Sequence, residues 1–261
     1  MIVLDSLNNT VFTGKVFIEL PEVDSTNAYA LRLLSSQTPP PHGTVVFSSR
    51  QMAGRGQRGN EWQSESGKNI AASFIFYPRM LAAAQQFYLS MAIALGVCRF
   101  LQHELSLLHE PLIKWPNDLY IQHKKVAGIL IENTVSGSRL SASVVGIGLN
   151  VNQTAFENLP HATSLQLLAQ RQFNLRDTVQ KLCTYVEAAY FLLQPDKLSA
   201  LKRQYMQNLY QFGVPRHFVR TANHTLLYGY ISRVLDNGHI EITHCNSGQP
   251  EYFDLKEIAW S

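Results

Sequence analysis

The sequence predicts an α+β fold, a β-sheet with helices followed by a small β-barrel. Three observations carry this. Two apolar runs, Thr44-Val45-Val46-Phe47 and Asn69 to Tyr77, bracket a glycine-rich segment and read as strands. Apolar side chains recur at helical spacing between Ala83 and Leu108. The last fifty residues break into short strands divided by glycine-containing turns.

In chain order, Lys15 to Leu20 is a short strand ending at Pro21. Asp24-Ser25-Thr26-Asn27 then offers several helix N-caps before Ala28 to Leu34. That helix stops at Ser35-Ser36, and Pro39-Pro40-Pro41 makes a stiff connector. The long helix over 83–108 uses Phe87, Met91, Leu95 and Cys98 to face the sheet. Pro116 rules out an ordinary central strand over 111–121. A hairpin at Gln122-His123-Lys124 leads into Lys125 to Glu132, and a further strand runs from Leu140 to Asn152. Residues 164–208 read as helical throughout. Strands at 217–221, 225–235, 239–244 and 251–255, with turns at Asp236-Asn237-Gly238 and Asn246-Ser247-Gly248, suggest the barrel. The boundary falls near Gln211, which divides the chain into 1–211 and 212–261.

Composition narrows the class. Of 261 residues, 46% are apolar and 16% charged, which suits a packed core and excludes a disordered polyelectrolyte. A net charge of +3 argues for anionic ligands and no more. Cys98, Cys183 and Cys245 are odd in number and lie in no metal-ligand spacing, so they read as free thiols of a cytoplasmic protein. The N-terminus lacks the pattern of a signal peptide. The apolar stretch from Phe87 to Leu101 is too short and too polar to span a bilayer, so no membrane partner is expected.

The segment Gln51-Met52-Ala53-Gly54-Arg55-Gly56-Gln57-Arg58-Gly59-Asn60-Glu61-Trp62 packs three glycines and two arginines into the six residues from Gly54 to Gly59. Glycine lets backbone N–H groups approach a ligand, and arginine presents a fork of donors suited to carboxylate and phosphate. Taken alone the loop is equally a solvated hairpin or an RNA-contacting segment. It lacks the Gly-Lys-Ser/Thr ending of a P-loop. The spacing Gly54-x-Gly56-x-x-Gly59 precedes a strand, which fails the context test for a dinucleotide fingerprint.

Four segments stand out together: Ser25-Thr26-Asn27, the Gly54–Gly59 loop, Lys114-Trp115-Pro116-Asn117-Asp118, and Lys125-Val126-Ala127-Gly128-Ile129-Leu130. This set, in this order, resembles the biotin–protein ligases (biotin–[acetyl-CoA-carboxylase] ligases) over residues 18–171. The last fifty residues resemble that family's SH3-like barrel in pattern and length only. The resemblance implies an ATP-dependent ligase. It converts biotin and Mg²⁺-ATP to biotinyl-5′-AMP, then transfers biotin to one lysine of a biotin carrier domain. It also implies a mixed sheet with helices on one side, similar to class II aminoacyl-tRNA synthetases.

The resemblance assigns roles residue by residue. Lys125 contacts the biotin carboxylate and the adenylate phosphate, Arg55 clamps from the loop, and Asp118 orients the incoming amine. Ser25, Thr26 and Gln51 bond the ureido ring, beside Asn27, and Gly128 leaves it room. Gly54, Gly56, Gln57 and Arg58 belong to the adenylate-binding loop. Asn117, Asn150 and Ala162 to Leu165 flank the nucleotide, and Trp62 packs on the adenine. For each residue a plainer reading stands: Ser25 and Thr26 as helix caps, Asp118 as a turn residue, Trp62 as core.

Many relatives carry arginine where this chain has Gln57, so the adenylate is expected to be held less tightly unless Arg58 substitutes. Some relatives carry an N-terminal helix-turn-helix domain. Here the ligase region begins within the first twenty residues, so a short form without DNA binding is expected. A lipoate ligase or octanoyl transferase would carry a different glycine loop. A nucleic-acid-binding module would show a broad basic face, against which Glu61 and Glu65 speak. A catalytically dead scaffold would not need Lys125, Asp118 and Arg55 together. Monomer and homodimer both stay open.

Overall fold

The computed structural model describes residues 2–3, 10–105, 110–157 and 159–260, with backbone only at Ile2, Val3 and Arg58. The first part of the chain runs β1 (Ile2–Val3), β2 (Phe17–Leu20), α1 (Thr26–Leu34), β3 (Thr44–Ser48), β4 (Ile70–Phe76) and α2 (Phe87–Glu104). It continues through β5 (Leu112–Lys114), β6 (Asp118–Ile121), β7 (Lys124–Ser136) and β8 (Arg139–Leu149). Three helices follow, α3 (Leu165–Ala169), α4 (Leu175–Tyr190) and α5 (Leu198–Gln207). The last strands are β9 (Arg216–Arg220), β10 (Leu226–Val234), β11 (Ile240–His244), β12 (Pro250–Phe253) and β13 (Ile258–Trp260).

The first eight strands form one sheet in the order β1-β2-β3-β4-β8-β7-β6-β5. It is mixed: β2 and β3 pair in parallel and the other neighbours are antiparallel. Side chains alternate between its faces, as a strand requires. Val45, Phe47, Phe74 and Phe76 join the core beneath α2 and α4. Val46, Ile75 and Val144 point the other way, where Ala30 of α1 covers them. The expectation of helices on one side is therefore corrected. Tyr29, Ala30 and Leu33 give α1 an apolar stripe of its own, and it buries that stripe on the opposite face.

The long helix needs a second correction. Its regular part starts at Phe87, after a 3₁₀ turn over Ala83–Gln85, and residues 106–109 lie outside the described residues. It is buried nearly all round, because α4 and α5 pack on the side away from the sheet. The region 164–208 is likewise three helices with breaks between them. Left-handed Gln170 ends α3, and the Asn174 side chain accepts from Asp177 N–H to start α4. Pro195 opens the 3₁₀ turn before α5. The predicted hairpin at 122–124 is present, with Gln122 and His123 both at positive φ, as a tight two-residue turn demands.

The last five strands form an antiparallel sheet in the order β12-β11-β10-β9-β13. Phe218, Ile231 and Ile242 fill its inner face and merge with the main core. Its β10–β11 hairpin presses against α2, where the Phe87 ring lies against Gly238. The two sheets thus share apolar packing.

Candidate active site

One cavity of about 880 Å³ opens between the two sheets. That volume suits a ligand of cofactor size. Its wall takes in the start of α1, the glycine loop, the Trp115–Asp118 turn, facing stretches of β7 and β8, and the end of the second sheet.

At the deep end, Ser25 is the N-cap of α1 and its hydroxyl accepts from Ala28 N–H at 3.4 Å. A serine hydroxyl has a second lone pair and a proton to spare, so capping leaves it able to meet a ligand. The Gln51 carbonyl accepts from Thr26 N–H at 2.9 Å, which ties the loop to the helix start. Ser73 on β4 lies 2.8 Å from the Thr26 hydroxyl and 2.6 Å from Asn27 Oδ1. Asn27 Nδ2 donates to the Glu132 carboxylate at 2.8 Å and to Leu130 O at 3.3 Å. The Asn27 amide is thus spent on the protein and braces the pocket from below. A Cβ at Gly146 would stand 2.3 Å from its oxygen, so any larger residue there must displace the Asn27 amide.

The glycine loop is a folded hairpin. Its first half bonds back to residues 23 and 24 through Met52 N–H and Ala53 N–H. Its second half pairs Gly54 with Trp62 and Gly56 with Asn60, around a 3₁₀ turn at Gln57–Gly59. A Cβ on Gly54 would lie 2.3 Å from Trp62 O, so the hairpin could not close. Gly54 itself does not line the cavity, whereas Arg55, Gly56 and Gln57 do. The side chain of Arg58 lies outside the described residues.

Trp62 is half-buried and lines the cavity. Its indole lies on the cross-strand pair Gly128 and Gly148, where a Cβ at Gly148 would come 2.4 Å from the ring. A Cβ at Gly128 would meet Trp62, Asp118 and Lys125 at 3.2–3.3 Å, so glycine lets these three side chains close on the strand. The Trp62 indole N–H is buried and meets no acceptor among the described residues.

The charged centre lies beside it. Lys125 Nζ is 2.8 Å from Asp118 Oδ1 and 5.6 Å from the Trp62 ring centroid. Lys125 is held by its own backbone, which bonds His161 O and Thr163 N. Asp118 starts β6 opposite Gly128, and Asn117 Nδ2 donates to Ile129 O. Asn150 Nδ2 donates to Thr163 O at 3.0 Å, so this amide positions the 162–163 segment.

Sequence reasoning did not single out the rim. Lys114 sits 5.0 Å from the Tyr120 ring and 5.3 Å from the Trp260 ring, and burial lowers its pKa. Trp260, Ile258 and Lys256 bring the second sheet into the cavity wall. Lys114 was within reach, since it opens its motif. Trp260 carries no local signal, because only the packing of the sheets brings it here. Arg55, Lys114, Lys125 and Lys256 line the cavity together with Glu61 and Asp118, leaving it net positive. Apolar flanks, a buried polar end and a cationic centre suit a small molecule carrying an anionic group.

The fold and this site define a class of protein that grips an anion beside an apolar ligand. The sequence profile of the biotin/lipoate A/B protein ligase family matches residues 20–150, half of the chain. The chain belongs to that family. The biotin–[acetyl-CoA-carboxylase] ligase of Paracoccus denitrificans is 42% identical over 135 residues, which cover 51% of this chain and 53% of that one. The bifunctional ligase/repressor BirA of Bacillus spizizenii is 29% identical over 236 residues, covering 88% and 70%. Among solved structures, the biotin protein ligase from Aquifex aeolicus in complex with biotin and ATP superposes with a TM-score of 0.74. It covers 93% of this chain and 97% of that one at 24% identity, a likeness of fold.

Proposed function

We propose that the protein is a biotin–protein ligase that makes biotinyl-5′-AMP and passes biotin to one lysine of a biotin carrier domain. The observation that carries this is the Lys125–Asp118 pair at 2.8 Å in a net cationic cavity whose other end is apolar and hydrogen-bonding. Family membership and a relative named biotin–[acetyl-CoA-carboxylase] ligase support the substrate and the carrier.

In the first step the biotin carboxylate attacks the α-phosphorus of ATP, a P–O bond forms, and pyrophosphate leaves with its bonding pair. Two anions must meet, so the barrier is electrostatic. Lys125 and Arg55 offset the repulsion at the carboxylate and α-phosphate. Asp118 and Glu61 are the carboxylates of this wall that would hold a Mg²⁺ ion bound with ATP, whose charge would offset that of the phosphates. In the second step the carrier lysine amine attacks the acyl carbon and AMP leaves. An amine with the ordinary lysine pKa, about 10.4, is protonated at neutral pH. Asp118 orients it and accepts the proton it sheds. Ser25, Thr26 and Gln51 hold the ureido ring, and the Trp62 indole walls the apolar slot.

In this reading residues 1–211 are a catalytic domain like a class II aminoacyl-tRNA synthetase. Residues 212–261 are an SH3-like barrel that closes the nucleotide end through Trp260. The buried thiols of Cys98 and Cys183 suit the cytoplasm. The test is to incubate the chain with Mg²⁺-ATP, biotin and a biotin carrier domain, and to weigh the carrier by mass spectrometry. One added biotin, dependent on ATP and not competed by lipoate, is expected. No added mass with biotin, and a gain with lipoate or octanoate, would overturn the reading.

A further inference from the structure

The Trp115–Asp118 turn belongs to the first sheet, yet its hydrogen bonds reach the second. The Trp115 ring is buried, and its indole N–H donates to the backbone oxygen of Gly238 at 3.0 Å. Gly238 closes the β10–β11 hairpin at positive φ, against the Phe87 ring. The neighbouring Asp236 anchors that hairpin to two helices. It accepts from the Tyr88 hydroxyl on α2 at 2.9 Å and from Lys202 on α5 at 2.5 Å. The next turn residue, Pro116, has its carbonyl held by the fully buried Tyr205 hydroxyl at 3.0 Å. Asn117 and Asp118 follow directly. The turn is thus fixed at its start by a hairpin of the other sheet and released at its end into the cavity.

We propose that the β10–β11 hairpin sets the position of Asp118 for amine transfer, acting through the Trp115 indole, with Trp115 and Asp236 as positioning residues. The proposal rests on the reaction proposed above. Asp236 does not line the cavity, and Trp115 touches the wall with its one polar side-chain atom turned away to Gly238. Asp236 lies on a turn and reaches the reaction only by fixing where Gly238 O stands. Trp115 converts that placement into the orientation of the three residues after it. A buried tryptophan N–H usually finds a hydrogen-bond partner, and for Trp115 the acceptor comes from the second sheet. This gives that sheet a task beyond lining the cavity with Trp260.

The test uses the full chain as Trp115→Phe, Asp236→Ala and the double variant. Single-turnover transfer from purified biotinyl-AMP to a biotin carrier domain is measured, together with the biotin Kd and hydrogen exchange over 114–121. Each single variant is expected to slow transfer at least tenfold and leave the biotin Kd within threefold. The double variant is expected to be no slower than Trp115→Phe, because both changes cut one connection. Singles within twofold of wild type, losses that multiply in the double variant, or biotin affinity falling in step with transfer would each overturn the proposal. Should Trp115→Phe not fold, Asp236→Ala on its exposed turn decides alone. A wild-type chain unable to transfer biotin would sink the proposed function instead. In that case, faster exchange at 114–121 in Asp236→Ala would uphold the coupling, and unchanged exchange would overturn it.

Discussion

The Lys125 ammonium and the Asp118 carboxylate stand 2.8 Å apart between β7 and β6, at the mouth of the turn that delivers Asp118. Both side chains keep about a third of their surface open (32% and 27%), so the pair contributes little to folding. Its cost when broken should therefore appear in catalysis. Lys125→Gln is expected to slow biotinyl-AMP formation by about 10²–10³ with a melting temperature close to wild type. Asp118→Asn should retain adenylate formation and lose transfer from isolated biotinyl-AMP. Normal transfer by Asp118→Asn would remove the carboxylate from the mechanism.

Gly146 and Gly148 are two residues apart on β8 and face the same way, one beneath Asn27 and one beneath Trp62. Gly148→Ala should displace the indole, visible as a shift in tryptophan emission, and lower biotinyl-AMP formation at least tenfold. Gly146→Ala should push Asn27 off Ser73 and Glu132 at a cost of about 1–3 kcal/mol. Calorimetry giving equal stability for the alanine variant at 146 would show that Asn27 relaxes freely.

Gln57 lines the cavity from the tip of the loop and carries no charge. Gln57→Arg adds a charge-assisted donor there, worth roughly a tenfold change in affinity. Biotinyl-AMP should leave the variant more slowly in a chase with excess unlabelled biotin and ATP. Equal release rates would mean the loop tip does not touch the adenylate.

Lys114 offers a pH test. Burial, ahead of any neighbouring charge, holds its pKa below the ordinary lysine value of 10.5. Between the depressed value and 10.5 the unfolded chain binds more protons at this residue than the folded one, so stability rises with pH across that window. Below the window the half-buried ammonium is a standing cost, partly offset by the Tyr120 and Trp260 rings. Lys114→Met should flatten the alkaline rise seen in urea titrations at successive pH values. A rise as steep as that of wild type would place the ammonium in water.

A fifth test lies away from the site. Both oxygens of the Glu187 carboxylate on α4 are used by backbone N–H groups, from Val11 at 2.6 Å and from Phe12 and Thr13 at 2.8 Å. This holds Phe12 among His42, Phe76 and Tyr190. Glu187→Ala would strand three donors and should cost about 3 kcal/mol of stability, with activity per folded molecule unchanged. A loss under 1 kcal/mol would mean water replaces the carboxylate, as roughly expected for exposed groups.

The parts legible in the sequence were those governed by near neighbours. Ser25 caps α1 because a hydroxyl can reach an N–H three residues on. Gln122-His123 turns the chain because both residues take positive φ between two strands. The two strands around the glycine loop lie side by side, as their apolar runs predicted. Fourteen of the residues given a role by the resemblance line one cavity, Lys125, Asp118, Arg55 and Gln51 among them. Tertiary structure alone decided the rest. Residues far apart in the chain meet only after the order of the strands is set and both sheet faces are covered. That is why α1 lies opposite the other helices and why Trp260 reaches Lys114. It is also why Trp62 lies over Gly128 and Gly148, and why the Trp115 N–H finds its acceptor at Gly238. Caps, turns and alternation act within a few residues, whereas these contacts depend on how whole layers pack, which no short stretch of sequence encodes.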